Sequence, residues 1–428
     1  MKFQIYTLGC KVNMYETNVM RDALLNKGYF EVKDDEQADI VIVNTCTVTN
    51  TADSKSMKVI RQAIRKNEKA IIIVCGCLAQ NKKDEVSKIN GVDIVIGNIN
   101  KSKIVDYIEK YLVEQKQKID VQNIMDTSFE HMMLNNFNKT RAFVKIQDGC
   151  NNFCSYCIIP YTRGNVRSKN KESVLKEIET LINAGHKEIV LTGIHTGNYG
   201  AEFKDYKFAN LLKDIIKIEG LERLRISSIE ITEITDDVME VIKNNKILVD
   251  HMHIPLQSGS DTVLKRMNRK YDKKYFIDKI KKLREIRPEI SITTDVIVGF
   301  PGETEDEFNE TIKTIRKVKF SKLHIFPYSK REGTKAADMN NQIDEKLKKK
   351  RVKILLQLSK ELEYNYMTKF LNKECEFIPE VAKEEYIIGH TGNYLNIKTI
   401  GTKKDLNKDK KVIINKIEYP YCIADIID

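Results

Sequence analysis

The stretch Gly149-Cys150-Asn151-Asn152-Phe153-Cys154-Ser155-Tyr156-Cys157 sets three cysteines at C-x3-C-x2-C spacing. Three thiolates this close on one short loop can converge on a single metal centre. A structural zinc closes a tetrahedron of four ligands. No fourth Cys or His lies near; the closest downstream is His186. Three thiolates instead suit a [4Fe–4S] cluster that fixes three irons and leaves the fourth open. An open metal position marks a reaction site rather than a structural one.

Working outward, the loop follows a strand predicted over Ala142–Gln147. Five more strands are predicted at Glu188–Leu191, Arg223–Ser228, Leu248–Ile254, Ser291–Val298 and Lys322–Phe326, with helices between them such as Glu172–Ala184 and Lys273–Arg284. Six β/α units describe a partial barrel, whose chemistry belongs in the loops after the strands. The cysteine loop follows the first strand, as that rule requires. Gly193, which permits close backbone approach, shares the predicted rim with Ser227, Ser228, Glu230 and Gln257. The run Val298-Gly299-Phe300-Pro301-Gly302-Glu303-Thr304 has the glycines of a phosphate loop but not its Lys-Ser/Thr ending. Thr304 and Glu307 form a capping-box pattern, so a tight turn into a helix is expected.

Upstream, residues 1–118 alternate strands at Phe3–Leu8, Ile40–Asn44, Ala70–Val74 and Ile94–Ile96 with helices at Asn13–Lys27 and Thr51–Lys66. This predicts an open, mostly parallel α/β sheet. Three of those strands run into Gly9-Cys10, Thr45-Cys46 and Cys75-Gly76-Cys77. In a parallel sheet such positions share the carboxyl edge, where ligands bind. A second triad of Cys10, Cys46 and either Cys75 or Cys77 is therefore expected. Cys77 is preferred because it follows the Gly76 turn, whereas Cys75 continues an apolar strand. Residues 116–140 are polar and weakly periodic, and read as a linker. The barrel unit is assigned to 138–368 and ends in a basic helix over Lys346–Lys369. Residues 369–428 change to short runs at Cys375–Pro379, Tyr386–Ile388, Tyr394–Thr399, Lys411–Ile417 and Tyr421–Ile427, which predict a small β-barrel.

The net charge of +11 suggests a polyanionic partner. A general bias toward Lys, Ile and Asn accounts for it equally well. Lys265–Arg287 carries eleven Lys/Arg and reads either as a phosphate contact or as a solvated face. Residues 371–428 hold nine Lys against ten Asp/Glu, so RNA binding there needs local faces: Lys403, Lys404, Lys408, Lys410 and Lys411, with Tyr386 or Tyr394 for stacking. No 18-residue apolar run appears, and Met1–Tyr6 reads as a strand rather than a signal peptide. Nine cysteines, six of them in two triads, fit a reducing cytoplasm better than a disulfide framework.

Gly9-Cys10-Lys11-Val12-Asn13, Asn44-Thr45-Cys46-Thr47-Val48-Thr49 and Gly76-Cys77-Leu78-Ala79-Gln80 resemble the three signatures of the methylthiotransferase amino-terminal domain. Cys150-x3-Cys154-x2-Cys157-Ile158-Ile159-Pro160 with Arg163-Gly164 is similar to that family's radical S-adenosylmethionine (SAM) loop, and the last segment resembles the RNA-binding TRAM barrel. The resemblance implies two [4Fe–4S] clusters and SAM. One cluster, on Cys150, Cys154 and Cys157, binds SAM and cleaves it to a radical that takes hydrogen from an unactivated carbon. The other, on Cys10, Cys46 and Cys77, carries the sulfur that is then methylated. Gly193, Ser228, Glu230 and Gln257 become candidate SAM contacts. A low-potential electron donor such as flavodoxin or ferredoxin is implied, with the sulfur donor open.

The first signature resembles the subgroup acting on N6-threonylcarbamoyladenosine (t6A) at position 37 of tRNA, beside the anticodon. The isopentenyladenosine subgroup has Gln and Met where Lys11 and Val12 stand. Lys11 would offer a cation to the t6A carboxylate. The rival expectations are action on isopentenyladenosine-37 tRNA, action on a ribosomal-protein aspartate, and a non-catalytic iron–sulfur RNA-binding protein. Eukaryotic relatives carry a carboxyl-terminal membrane tail; none precedes Asp428, so a cytoplasmic location is expected.

Overall fold

The computed structural model describes residues 1–137 and 139–427. The amino-terminal part is a six-stranded, wholly parallel sheet. Its central strands Ile40–Thr45 and Ile71–Gly76 are buried along their whole length. Their runs of Ile and Val follow from a parallel sheet covered on both faces, where no alternation is needed. The predicted strands all form, and Ile94–Ile96 keeps its bounds. Two edge strands, Phe30–Glu31 and Lys118–Asp120, were not expected. Helix Asn50–Lys66 starts where the Thr49 side chain accepts the Ala52 N–H. Asp53 in its first turn and Arg65 and Lys66 in its last suit the helix dipole.

The six expected barrel strands form as two three-stranded parallel sheets, joined by a bridge between Leu224 and Leu248. Ser291–Val298 keeps its predicted bounds, while the fourth strand shrinks to His251–His253. Helix Glu305–Val318 begins at Thr304 with the reciprocal Thr304–Glu307 capping box. The last segment is a closed five-stranded barrel of Glu374–Lys383, Tyr386–Thr391, Asn396–Ile400, Lys410–Glu418 and Tyr421–Ile426.

One reading is corrected. The segment taken as a linker is packed: Met132, Leu134 and Phe137 lie in the core of the barrel, and Lys118–Asp120 pairs with the amino-terminal sheet. Its few apolar residues carry the burial, which a polar average hides. The boundary drawn at 138 falls on a residue outside those described. The expected basic helix forms over Glu345–Met367. Lys348 and Arg351 are buried, Lys348 donating to the Tyr328 carbonyl and Arg351 pairing with Glu303 at 2.6 Å. Among the described residues no helix is long and apolar enough to cross a membrane.

Candidate active site

The three amino-terminal cysteines sit on neighbouring loops at the carboxyl edge of the parallel sheet. Cys10 precedes helix Lys11–Asn26, Cys46 follows strand Ile40–Thr45, and Cys77 opens the short helix Cys77–Asn81. Side chains within the signatures tie these loops together. Asn13 donates to the carbonyls of Leu8 (2.7 Å) and Thr45 (2.9 Å), and Asn44 donates to the Asn13 carbonyl. The Thr45 hydroxyl donates to the Cys75 carbonyl at 2.6 Å and accepts the Leu78 N–H. Gly9 has φ +99°, and a Cβ there would lie 2.9 Å from Cys46 Sγ, so glycine lets that thiol approach. Cys75 instead points into the apolar core, where burial pushes its thiol up to about 12.

Cys77 Sγ accepts from Asn98 Nδ2 at 3.5 Å and from Arg163 Nε at 3.4 Å. Arg163 ends the short helix Ile159–Arg163 that follows the Cys150 loop and is fully buried. Its guanidinium also donates to Glu16 at 2.5 Å, Asn13 at 2.6 Å and Asp148 at 3.2 Å. Lys101 and Lys145 pair with the same Glu16. Burial opposes ionisation of Glu16, but Arg163, Lys101 and Lys145 outweigh it and hold its carboxyl well below the usual range. Sequence reasoning saw Arg163 only as part of a motif and missed Glu16 and Asn98. The Asn-rich signatures were the available signal.

The second triad follows the first barrel strand, as expected. Cys150 donates its N–H to Gly164, and Cys157 donates to Cys154, both at 3.0 Å. Gly149 has φ +74°, and a Cβ there would fall 1.9 Å from the Asn165 carbonyl oxygen, so only glycine fits the turn. Arg269 donates to Cys154 Sγ at 3.3 Å and pairs with Glu230. His195 places Nδ1 3.8 Å from Cys150 Sγ and Nε2 2.5 Å from Glu233.

All nine cysteines are free thiols. No three Cys, His, Asp or Glu groups among the described residues close on the position of a single ion. The thiolates of a cluster each bind a different iron and stand wider apart than the ligands of one ion. Three soft thiol donors on a glycine-tightened loop suit the ligation of such a cluster.

The lumen of the partial barrel is a cavity of about 650 Å³. Alternate residues of all six strands line it, including Arg141, Phe143, Arg225, His251, Asp295 and His324. Gly9, Cys10 and Lys11 reach it from the amino-terminal sheet and Tyr394 from the closing barrel. Gly193 and Ser228 lie on its wall, as their rim positions predict. The close approach that Gly193 permits is taken by Gln147, whose Oε1 would lie 2.9 Å from a Cβ there. Glu230 is engaged by Arg269, and Gln257 bridges in the backbone to Val296 with φ +62°, away from the lining. Burial, then Arg141 and Arg225, lower the Lys11 ammonium to about 8.

Of the residues offered for RNA contact, Tyr394 is partly exposed on the closing barrel. It packs against His251 and His390 under the guanidinium groups of Arg141 and Arg225. Within the basic stretch 265–287, Arg266, Arg269 and Arg287 are held by Glu307, Glu230 and Asp250.

Comparison with known proteins matches residues 144–315 to the Radical SAM superfamily and residues 2–97 to Uncharacterized protein family UPF0004. The threonylcarbamoyladenosine tRNA methylthiotransferase MtaB of Bacillus subtilis is 49% identical over 425 residues, covering 97% of this chain and 94% of its own. The chain belongs to the radical SAM methylthiotransferase family. The Aquifex aeolicus protein of the same name is 38% identical over 97% of this chain and all of its own. The tRNA-2-methylthio-N(6)-dimethylallyladenosine synthase of Clostridium tetani is 37% identical over 97% of this chain and 94% of its own. Among solved structures, the radical S-adenosylmethionine methyltransferase TsrM from Kitasatospora setae superposes with a TM-score of 0.59. It covers 78% of this chain and 76% of its own at 14% identity, a likeness of fold alone. This methylthiotransferase accordingly uses a [4Fe–4S] cluster and SAM, and the non-catalytic reading falls away.

Proposed function

We propose that the protein attaches a methylthio group to C2 of t6A at position 37 of tRNA. The observation that carries this reading is that Cys10 opens onto the same lumen whose rim bears the Cys150 loop. A base held in that lumen would face Cys10, with the Cys150 loop following the first of the lining strands. Cys150, Cys154 and Cys157 would hold the cluster that engages SAM, and Cys10, Cys46 and Cys77 a second. When bound, these groups supply a radical able to break an unactivated C–H bond and the sulfur that takes its place.

The chain's own residues orient and enclose. Asn13, Asn44 and Thr45 fix the three amino-terminal loops against one another. Arg163 fixes that set against the barrel. Gly193 and Ser228 remain candidates for SAM contact on the lumen wall, and Glu230 and Gln257 lie farther round the rim. The low-potential donor, such as flavodoxin or ferredoxin, would approach from outside. A tRNA substrate supports a cytoplasmic location.

The dimethylallyladenosine reading is second, supported by the Clostridium relatives, whose identity is lower. The ribosomal-protein aspartate alternative has no support among these relatives. The test is incubation of reconstituted protein, SAM and reductant with t6A-bearing tRNA, followed by nucleoside mass spectrometry. Expected is 2-methylthio-t6A. Product on isopentenyladenosine tRNA alone would overturn the substrate assignment.

A further inference from the structure

Arg225 is buried in the lumen wall, and its Nη1 and Nη2 have no hydrogen-bond partner, while Nε donates to Glu188 at 2.6 Å. Tyr394 supports the guanidinium from below, 4.8 Å from ring centroid to Cζ. Burial of unpaired donors on a charged group is costly. It persists where a ligand completes the set. The groups facing Arg225 leave the region positive. Arg141 and Lys11 are cationic, and Glu188 is already engaged by Nε. Glu380 is held by Arg141 and His390, and Asp295 by His253.

We propose that Arg225 is the receptor for a carboxylate carried on the substrate base. The inference rests on the t6A reading and deepens it, since the threonyl group of t6A bears a carboxylate and the isopentenyl group bears none. The Nη1–Nη2 edge of a guanidinium matches the two oxygens of a carboxylate. Arg141 and Lys11 add positive field, and Tyr394 fixes the plane. An apolar isopentenyl group would leave both Nη donors buried and unpaired. Rejection by such unpaired groups is stronger than a hydrophobic pocket achieves. Lys11, the cation expected from the first signature, also lines the lumen, and Arg225 makes the directed contact.

The experiment compares two anticodon stem-loops of one sequence, one bearing t6A and one its threoninol analogue, with CH2OH in place of the carboxylate. Wild-type holoenzyme is expected to bind the analogue roughly tenfold to a hundredfold more weakly, the range for hydrogen bonds to a charged group. Equal binding would overturn the proposal, and this arm needs no variant. The double variant Arg225→Gln/Glu188→Gln, which leaves no lone buried carboxylate, is expected to bind both RNAs alike. Retained discrimination would also overturn it. If t6A RNA is converted to product but the carboxylate is immaterial, only the proposal fails. If isopentenyladenosine RNA alone is converted, the substrate reading fails.

Discussion

Arg163 shows how much one side chain can hold. It donates to Glu16, Asn13, Asp148 and Cys77 Sγ from a site without solvent contact. Breaking a buried charge network by removing one partner costs about 3–5 kcal/mol. Arg163→Met should lower the melting temperature accordingly and release iron bound through Cys77. Arg163→Lys should rescue little, because an ammonium lacks the planar fork. Glu16 allows a pH test. Its folded carboxyl titrates below the unfolded value, so its stabilisation is present above that value and lost as acid protonates the folded form. Melting of wild type against Glu16→Gln should show a full gap above about pH 5 that narrows below about pH 4. For the ligands, Cys154→Ala and Cys46→Ala should each halve the iron, about four of eight atoms, while Cys75→Ala keeps it. Loss of iron in the Cys75 variant would show that the second triad is misassigned. At this scale the sequence displayed the cysteines, because metal chemistry restricts spacing. It could not display Arg225 or Glu16, since a lone charged residue in a strand or helix looks the same whether buried or wet.

The elements were legible where periodicity is strong. Ser291–Val298 and Ile94–Ile96 kept their bounds, each closing on apolar β-branched residues just before a glycine. Phe30–Glu31 and Lys118–Asp120 escaped because edge strands are short and half polar. Fixed local geometry gives two contrasting predictions. Thr304→Ala removes the cap of helix Glu305–Val318 and should cost about 1 kcal/mol, read by denaturant titration. Its iron content should stay at the wild-type level. Gly149→Ala puts a methyl group against the Asn165 carbonyl at a positive φ, so the Cys150 loop must move. Iron on that loop should be lost while the amino-terminal set stays filled. An unchanged iron count would show the turn to be more forgiving than its geometry implies.

Across the whole molecule, the order of sheet, partial barrel and closed barrel was readable from alternation and from the change of character near residue 369. The polar lumen was not. Strands lined by Arg141, Arg225 and His251 read as ordinary amphipathic strands until the barrel closes around them. With a net charge of +11, RNA affinity should fall as salt rises, with a log–log slope that counts the phosphates neutralised. A flat salt response would show that the positive charge serves no RNA contact. Tyr394 carries one more consequence. Through that ring the closing barrel lines the lumen, and Glu380 and Asp409 anchor it to Arg141, Lys187 and Arg223. A chain cut after Met367 would therefore be a vessel with part of its lining missing. Water would enter there and quench reactive species before they met the nucleoside, so SAM turnover would run on, uncoupled from product.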